Sequence, residues 1–309
     1  MNEAERLKEA LSKIAELASE ASNGSYSESA RTGETGRVEP IVCTPKSLPK
    51  RLLVAAAKTA VEINPVNAPA LHMMAAAAAD VMDPMRIAVM TQKYWGPAPR
   101  TLTVSFMEST PPDLRRKILS HMNAWSKTAG IQFAETGGTG QIRISRTAGG
   151  YWSYIGTDVL HIPQNRQTMN LEGFSMSTDE SEYRRVIRHE TGHTLGFPHE
   201  HMRRELVARI DPPKAYDYFL RTFGWPKEMV DQQVLTALDQ NTIMGTPADQ
   251  TSIMCYQLPG SITRDGKPIL GGTDINSTDF DFAGRIYPKP HHQPGFETED
   301  DFEEEYATA

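Results

Sequence analysis

The stretch His189-Glu190-Thr191-Gly192-His193-Thr194-Leu195-Gly196-Phe197-Pro198-His199-Glu200 constrains this chain more than any other. His189 and His193 stand four apart, so on a helix both imidazoles project from one face and can bind one ion. Glu190, next to His189, can stand beside that ion without ligating it. Gly196 can take a left-handed backbone conformation that a Cβ would resist. A sharp turn there brings His199 back as a third ligand. Three neutral imidazoles with an open fourth position describe a catalytic zinc site rather than a structural one. Zinc in such a site lowers the pKa of bound water towards ~7 and polarises a carbonyl.

Composition removes other classes. No run among the 309 residues approaches the ~18 apolar residues of a spanning helix, and mean hydropathy is -0.47, so no membrane partner is expected. Seven acidic residues and no basic ones follow Phe296; the rest of the chain has 32 acidic residues against 32 basic ones. A neutral body argues against nucleic-acid binding, and residues 291–309 read as an acidic, disordered tail. Two cysteines, Cys43 and Cys255, exclude a disulfide-stapled scaffold. The N-terminus is charged and mixed in sign, without an apolar stretch behind a basic start. The expected location is the cytoplasm, or outside the cell by a route without a recognisable leader.

Periodicity organises the remainder. Residues 1–22 read as a helix, 23–39 as a linker, and 49–63 and 68–82 as helices apolar enough to dock. Alternation predicts a strand over 101–107, with further strands over 131–135 and 141–146, and strand structure over 149–156 and 159–162. Helical spacing of Leu114, Ile118, Met122 and Trp125 predicts one long helix over 112–128. Ser177 and Glu180 form a candidate capping box opening a second long helix that ends near Leu195. A final helix is expected over 277–287.

Further along lies Ser252-Ile253-Met254-Cys255-Tyr256. The long zinc motif plus this Ser-x-Met-x-Tyr turn resembles the metzincin metallopeptidases, and Glu200 after the third histidine is similar to the astacins among them, bacterial or fungal types most of all. The resemblance runs over about 90–288. It includes Trp95, the Gly-Tyr-Trp-Ser-Tyr-Ile-Gly segment, Thr168-Met169-Asn170-Leu171, and a closing Asp279 with Ile286-Tyr287-Pro288. It implies an α+β fold, a twisted mixed sheet with two long helices above a zinc cleft and a smaller irregular lower subdomain. It implies one catalytic Zn2+ on His189, His193 and His199. It makes Glu190 the general base, Met254 an apolar floor beneath the imidazoles, and Tyr256 a residue that can ligate zinc or swing away to hydrogen-bond an oxyanion. The implied activity is a zinc metalloendopeptidase acting on an extended peptide or protein. Two alternatives are a zinc-bound interaction module without turnover and a non-peptide amidohydrolase.

The chain also departs from astacins. Cys255 stands where they usually carry histidine, and their aspartate-bearing pro-segment signature is missing upstream. The glutamate matching Glu200 engages the N-terminus of mature astacins; here Arg203 or Arg204 offers a local ion pair instead. The expected division is an N-terminal segment 1–89, a possible pro-segment; a peptidase domain 90–290; and the tail 291–309. Segment 43–82 is expected to dock structurally, the alternative being a Cys43 thiolate that caps the zinc. His201 is expected at the surface, His121 and His161 in structural roles, His72 buried or solvated, and His291 and His292 without a specific role. Asp211 is either a support for the loop below the site or a helix cap. Residues 151–154 are either an edge strand for peptide pairing or core aromatics.

Overall fold

The computed structural model describes residues 43–69, 91–238 and 247–290. The expected helix over 1–22, the linker, nearly all of the helix over 68–82, His72, His291, His292 and the acidic tail lie outside the described residues. No helix among the described residues is long and apolar enough to cross a membrane.

Five strands form one sheet: β1 (Arg100–Phe106), β2 (Ile131–Glu135), β3 (Ile142–Ser145), β4 (Tyr151–Ser153) and β5 (Met169–Leu171), in the order β2-β1-β3-β5-β4. Leu102 and Val104 point into the core from β1, and every residue of the central β3 is buried. The first four strands in that order are parallel. Parallel neighbours need a crossover, and helix α2 (Pro112–Met122) supplies it between β1 and β2. Edge strand β4 is antiparallel to β5, pairing Ser153 with Met169. The sheet is therefore mixed.

Three local expectations change. The helix over 112–128 is α-helical only to Met122 and closes as a 3-10 turn over Asn123–Lys127. The Asn123 side chain explains this: its amide donates to Phe133 O (2.9 Å) and accepts from Phe133 N (2.8 Å), acting as a substitute strand partner for β2. Gly156–His161 is a 3-10 helix rather than a strand. Gly156 has φ +49°, and a Cβ there would lie 1.8 Å from Lys93 O. Helix α3 begins after Asp179, not at Ser177, because the two capping-box partners are otherwise engaged. Ser177 Oγ meets Ser175 Oγ at 2.9 Å, and Glu180 pairs with Lys117 and His121, both at 3.3 Å. Helix α3 comprises Glu180–Glu182, a wider π-turn at Tyr183–Ile187, and Arg188–Thr194. Strand β5, too short for periodicity to reveal, was missed.

Helix α1 (Lys50–Ile63) follows the alanine-rich pattern closely and buries Ala56, Ala57 and Ala60. It packs on the 3-10 helix Gly156–His161, where His161 Nε2 meets Thr59 Oγ1 at 3.0 Å. Beyond it, Asn67 is buried with its amide fully used. It donates to Ala60 O and Tyr94 O and accepts from Tyr94 N. Asn64 donates to Trp95 O. Docking of this segment onto the body thus rests on polar locks as well as apolar contact.

Below α3, helix α4 (Pro212–Phe223) and the irregular segments around it build a second apolar cluster from Leu206, Phe219, Trp225, Val234 and Ile269. Asp211 is the N-cap of α4, accepting from Lys214 N at 3.4 Å. The final helix, α5 (Ser277–Ile286), opens with a capping box between Asn276 and Asp279. The upper cluster holds the sheet, Trp95, Trp125 and Met254. Tyr256, Cys255 and Cys43 belong to the lower one. The seam between the clusters is where the histidine motif emerges.

Candidate metal centre

Two indoles clamp α3. Trp125 Nε1 donates to Arg188 O (2.8 Å) and Trp95 Nε1 to Thr194 O (2.9 Å). Tyr287 Oη donates to Leu195 O. Thr194 O and Leu195 O lie at the helix's C-terminal end, where carbonyls lack intrahelical partners. Gly196 then takes φ +97°, with Tyr94 Cδ1 2.9 Å from where its Cβ would be. That turn returns the chain so that His199 faces the helix.

The three imidazoles converge. His189 Nδ1 is 2.6 Å from Ile253 O and His193 Nδ1 is 2.8 Å from Phe197 O. A carbonyl only accepts, so both Nδ1 atoms carry the proton and both Nε2 atoms carry a lone pair. Those Nε2 atoms lie 3.2 and 3.0 Å from His199 Nε2. One proton on His199 Nε2 cannot serve both neighbours, so lone pairs face one another in a buried site. A cation resolves this. Nitrogens held at ~2.0–2.1 Å around a tetrahedral zinc stand about 3.3 Å apart, close to the observed spacings. Burial and the neighbouring imidazoles hold His193 and His199 well below the usual range, and burial takes His189 down to about 4. All three are therefore neutral imidazoles, the form that can ligate a metal. The residues fit zinc.

The methionine turn lies directly beneath. Ser252 Oγ donates to Asp279 Oδ1 (2.6 Å) and Ile253 N to Asp279 Oδ2 (3.0 Å). One carboxylate thus caps α5 and holds this turn. Met254 packs on Gly192: a Cβ on Gly192 would stand 2.3 Å from Met254 Sδ and 3.2 Å from Trp125 Cζ2. The need for glycine at 192 escaped the sequence reading, because the atom that requires it lies 62 residues away. Glu200 N donates to Met254 O (2.8 Å), and its carboxylate pairs with Arg203 at 3.4 Å. Its Oε1 also accepts from Asp249 N (3.0 Å). Burial pushes the Glu200 carboxyl up to about 7.

Glu190 is wholly buried beside His189. Oε2 accepts from Cys43 Sγ at 3.3 Å, and Oε1 has no partner. Burial pushes its carboxyl up to about 8, with the Cys43 hydrogen bond acting in the opposite direction. Cys43 Sγ and one nitrogen each from His189, His193 and His199 all lie within 4.8 Å of one another. The segment expected to dock structurally also brings this cysteine's sulfur to the imidazoles. Both cysteines are free thiols. The Tyr256 hydroxyl is buried without a hydrogen-bond partner, near Cys43 and Glu190.

His201 is fully buried, against the expectation of a surface residue. The 3-10 turn Glu200–Met202 rotates it inward, and its Nε2 meets Gln233 O at 2.9 Å. His121 is buried against Tyr183. Of the two roles expected for residues 151–154, the structure shows β4 at the sheet edge with Trp152 and Ser153 buried. Thr44 N donates to Tyr151 O (3.4 Å) and Lys46 N to Ser153 O (3.1 Å) along that edge. A shallow pocket adjoins the centre, lined in part by Arg185, Glu190, Leu270 and Gly271.

A family model described as "Astacin", a peptidase family, matches residues 88–269. Zinc metalloproteinase nas-27 of Caenorhabditis elegans is 27% identical over 190 residues, covering 59% of this chain and 41% of that protein. The chain thus spans less than half the length of that curated relative. The structure of myroilysin matches with a TM-score of 0.60 and 32% identity, covering 64% of this chain and 96% of that one. The match takes in the histidine motif and the methionine turn together, and this chain belongs to the astacin family of peptidases.

Proposed function

We propose that this chain is a zinc endopeptidase whose own N-terminal segment holds it latent. The observation that carries the reading is the placing of three imidazole Nε2 atoms and a buried carboxylate beside a sheet edge. His189, His193 and His199 would hold the zinc. When bound, zinc supplies Lewis acidity, acidifying water and polarising a carbonyl.

The rest is done by side chains of this chain. Strand β4 accepts an extended peptide by backbone pairing, as sheet edges do. Glu190 removes a proton from the attacking water and returns it to the leaving amine. The free Tyr256 hydroxyl donates to the carbonyl oxygen as it gains charge. Met254 keeps the underside of the imidazoles dry and apolar.

Two contacts support latency. Cys43 Sγ and the three imidazole nitrogens lie within 4.8 Å of one another; on giving up its proton this thiol would be a fourth protein ligand, closing the zinc site as in a structural one. Residues 44–46 occupy the same β4 edge that a substrate would use. The N-terminal segment, not a separate inhibitor, would thus block both the metal and the strand.

Cleavage of an unfolded protein by purified chain tests this, with and without a chelator. Cys43→Ala should retain one zinc per chain and cleave at least ~10-fold faster than the unaltered chain. Equal rates would remove the latency reading. No chelator-sensitive cleavage by either protein would remove the peptidase reading.

A further inference from the structure

We propose that His201 is a positioning residue for Tyr256, holding the phenol ring by stacking so that its hydroxyl stays free of hydrogen bonds and ready to turn towards a substrate oxygen. The inference rests on the Tyr256 role proposed above.

Three rings meet at the seam. Tyr256 and His201 are stacked, with centroids 4.1 Å apart and planes 13° apart. Tyr256 meets His199 at 4.2 Å with a 52° tilt, and His199 meets His201 at 5.0 Å. The phenol therefore contacts one metal-ligand candidate at an angle and lies flat on a histidine that ligates nothing. A buried tyrosine ordinarily finds a partner for its hydroxyl. This one has none. What holds the ring is its face, and an offset stack constrains tilt much more than rotation or sliding within the plane. That is the restraint a mobile hydroxyl needs.

His201 is itself well anchored. A carbonyl partner fixes the proton on Nε2, which donates to Gln233 O at 2.9 Å. Gln233 lies in the turn Asp231–Leu235, whose Val234 is in the lower core. The stacking surface is thus tied to the lower subdomain. His199 and its fixed neighbours belong to the motif above. Tyr256, in the methionine-turn exit, spans the two.

The choice of variants separates stacking from packing. His201→Leu and His201→Phe both keep the site apolar and filled, and both forfeit the Gln233 bond; only phenylalanine keeps an aromatic face. The assays use full-length zinc-loaded protein carrying Cys43→Ala, and every variant keeps the same N-terminal segment, so that latency is equal in all of them. His201→Leu should lower kcat about fivefold to tenfold with KM within twofold and zinc content unchanged. His201→Phe should restore most of that loss. In a Tyr256→Phe background, His201→Leu should cause no further loss. In protein labelled with ¹³C-tyrosine, the ring resonance that vanishes on Tyr256→Phe should shift in His201→Leu more than in His201→Phe, since the ring current comes from the stacked face. Equal kcat losses in the leucine and phenylalanine variants, or an undiminished leucine effect without the Tyr256 hydroxyl, would overturn the proposal. Full kcat in Tyr256→Phe alone would instead remove the Tyr256 role and this inference with it.

Discussion

Gly192 offers a test in which two ordinary rules predict opposite signs. It lies inside α3, where glycine costs ~0.5–1 kcal/mol relative to alanine. On propensity alone, Gly192→Ala should stabilise. The added methyl, however, would stand 2.3 Å from Met254 Sδ and 3.1 Å from its Cε, with Trp125 Cζ2 at 3.2 Å. The Met254 backbone is held, its N–H donating to Ser252 Oγ, so the methyl must be met by a shift of the thioether itself, which is buried in the upper cluster. Overpacking of this kind costs ~1–3 kcal/mol. Subtracting the helix gain leaves a net destabilisation of up to ~2.5 kcal/mol, or up to ~10 °C in Tm for a domain of this size. Urea unfolding at fixed free zinc measures it, since bound metal adds its own stabilisation. The decisive comparison uses Met254→Ala, which removes the obstructing sulfur at a cost of ~2–5 kcal/mol. In that background Gly192→Ala should turn neutral or stabilising by ~0.5–1 kcal/mol. An unfolding midpoint that rises for Gly192→Ala alone, or a sign that stays negative without the Met254 side chain, would refute the packing argument.

The remaining expectations concern the site and one buried ion pair. Glu190→Ala should keep zinc by metal analysis yet cut peptide cleavage by at least ~10²-fold, because general-base assistance is worth that much. His193→Ala should lose the metal, which the same measurement reads directly; unchanged zinc content would break the ligand assignment. Asp158 pairs with Lys93 at 3.5 Å, and burial raises its carboxyl from 3.8 to about 6 in the folded chain. The folded state then binds more protons than the unfolded state between about pH 4 and 6, so this residue makes stability fall as pH rises through that window. Its share is about 2–3 kcal/mol at most. The difference in urea midpoint between wild type and Asp158→Asn should accordingly change between pH 4 and 6 and be flat above about pH 7. A flat difference throughout would refute the shift.

Contacts of short range were legible from the letters. The spacing of His189 and His193, the turn at Gly196 and the return of His199 all follow from 3.6 residues per turn and from what a Cβ forbids. Helix α1, strand β2 and the closing helix α5 likewise follow their periodicity to within a residue or so. Other features depend on groups distant in the chain. The Asn123 amide ends α2 only because Phe133 presents an unpaired backbone edge to it. Glu180 leaves its capping box for charges on α2.

At the site the same division holds. Sequence alone picked out the three histidines that the fold brings together, because their motif is nearly a single local element. Tertiary structure decided who reaches it. Cys43 stands 147 residues from Glu190, and nothing in the letters around a lone cysteine says where its sulfur will lie. His201 looked like a surface residue because a helical register does not describe a 3-10 turn, and its burial is set by Tyr256 and Gln233. Periodicity reports which face of an element is apolar. It does not report which distant side chain will cover that face, since that choice is made by packing after the elements have formed.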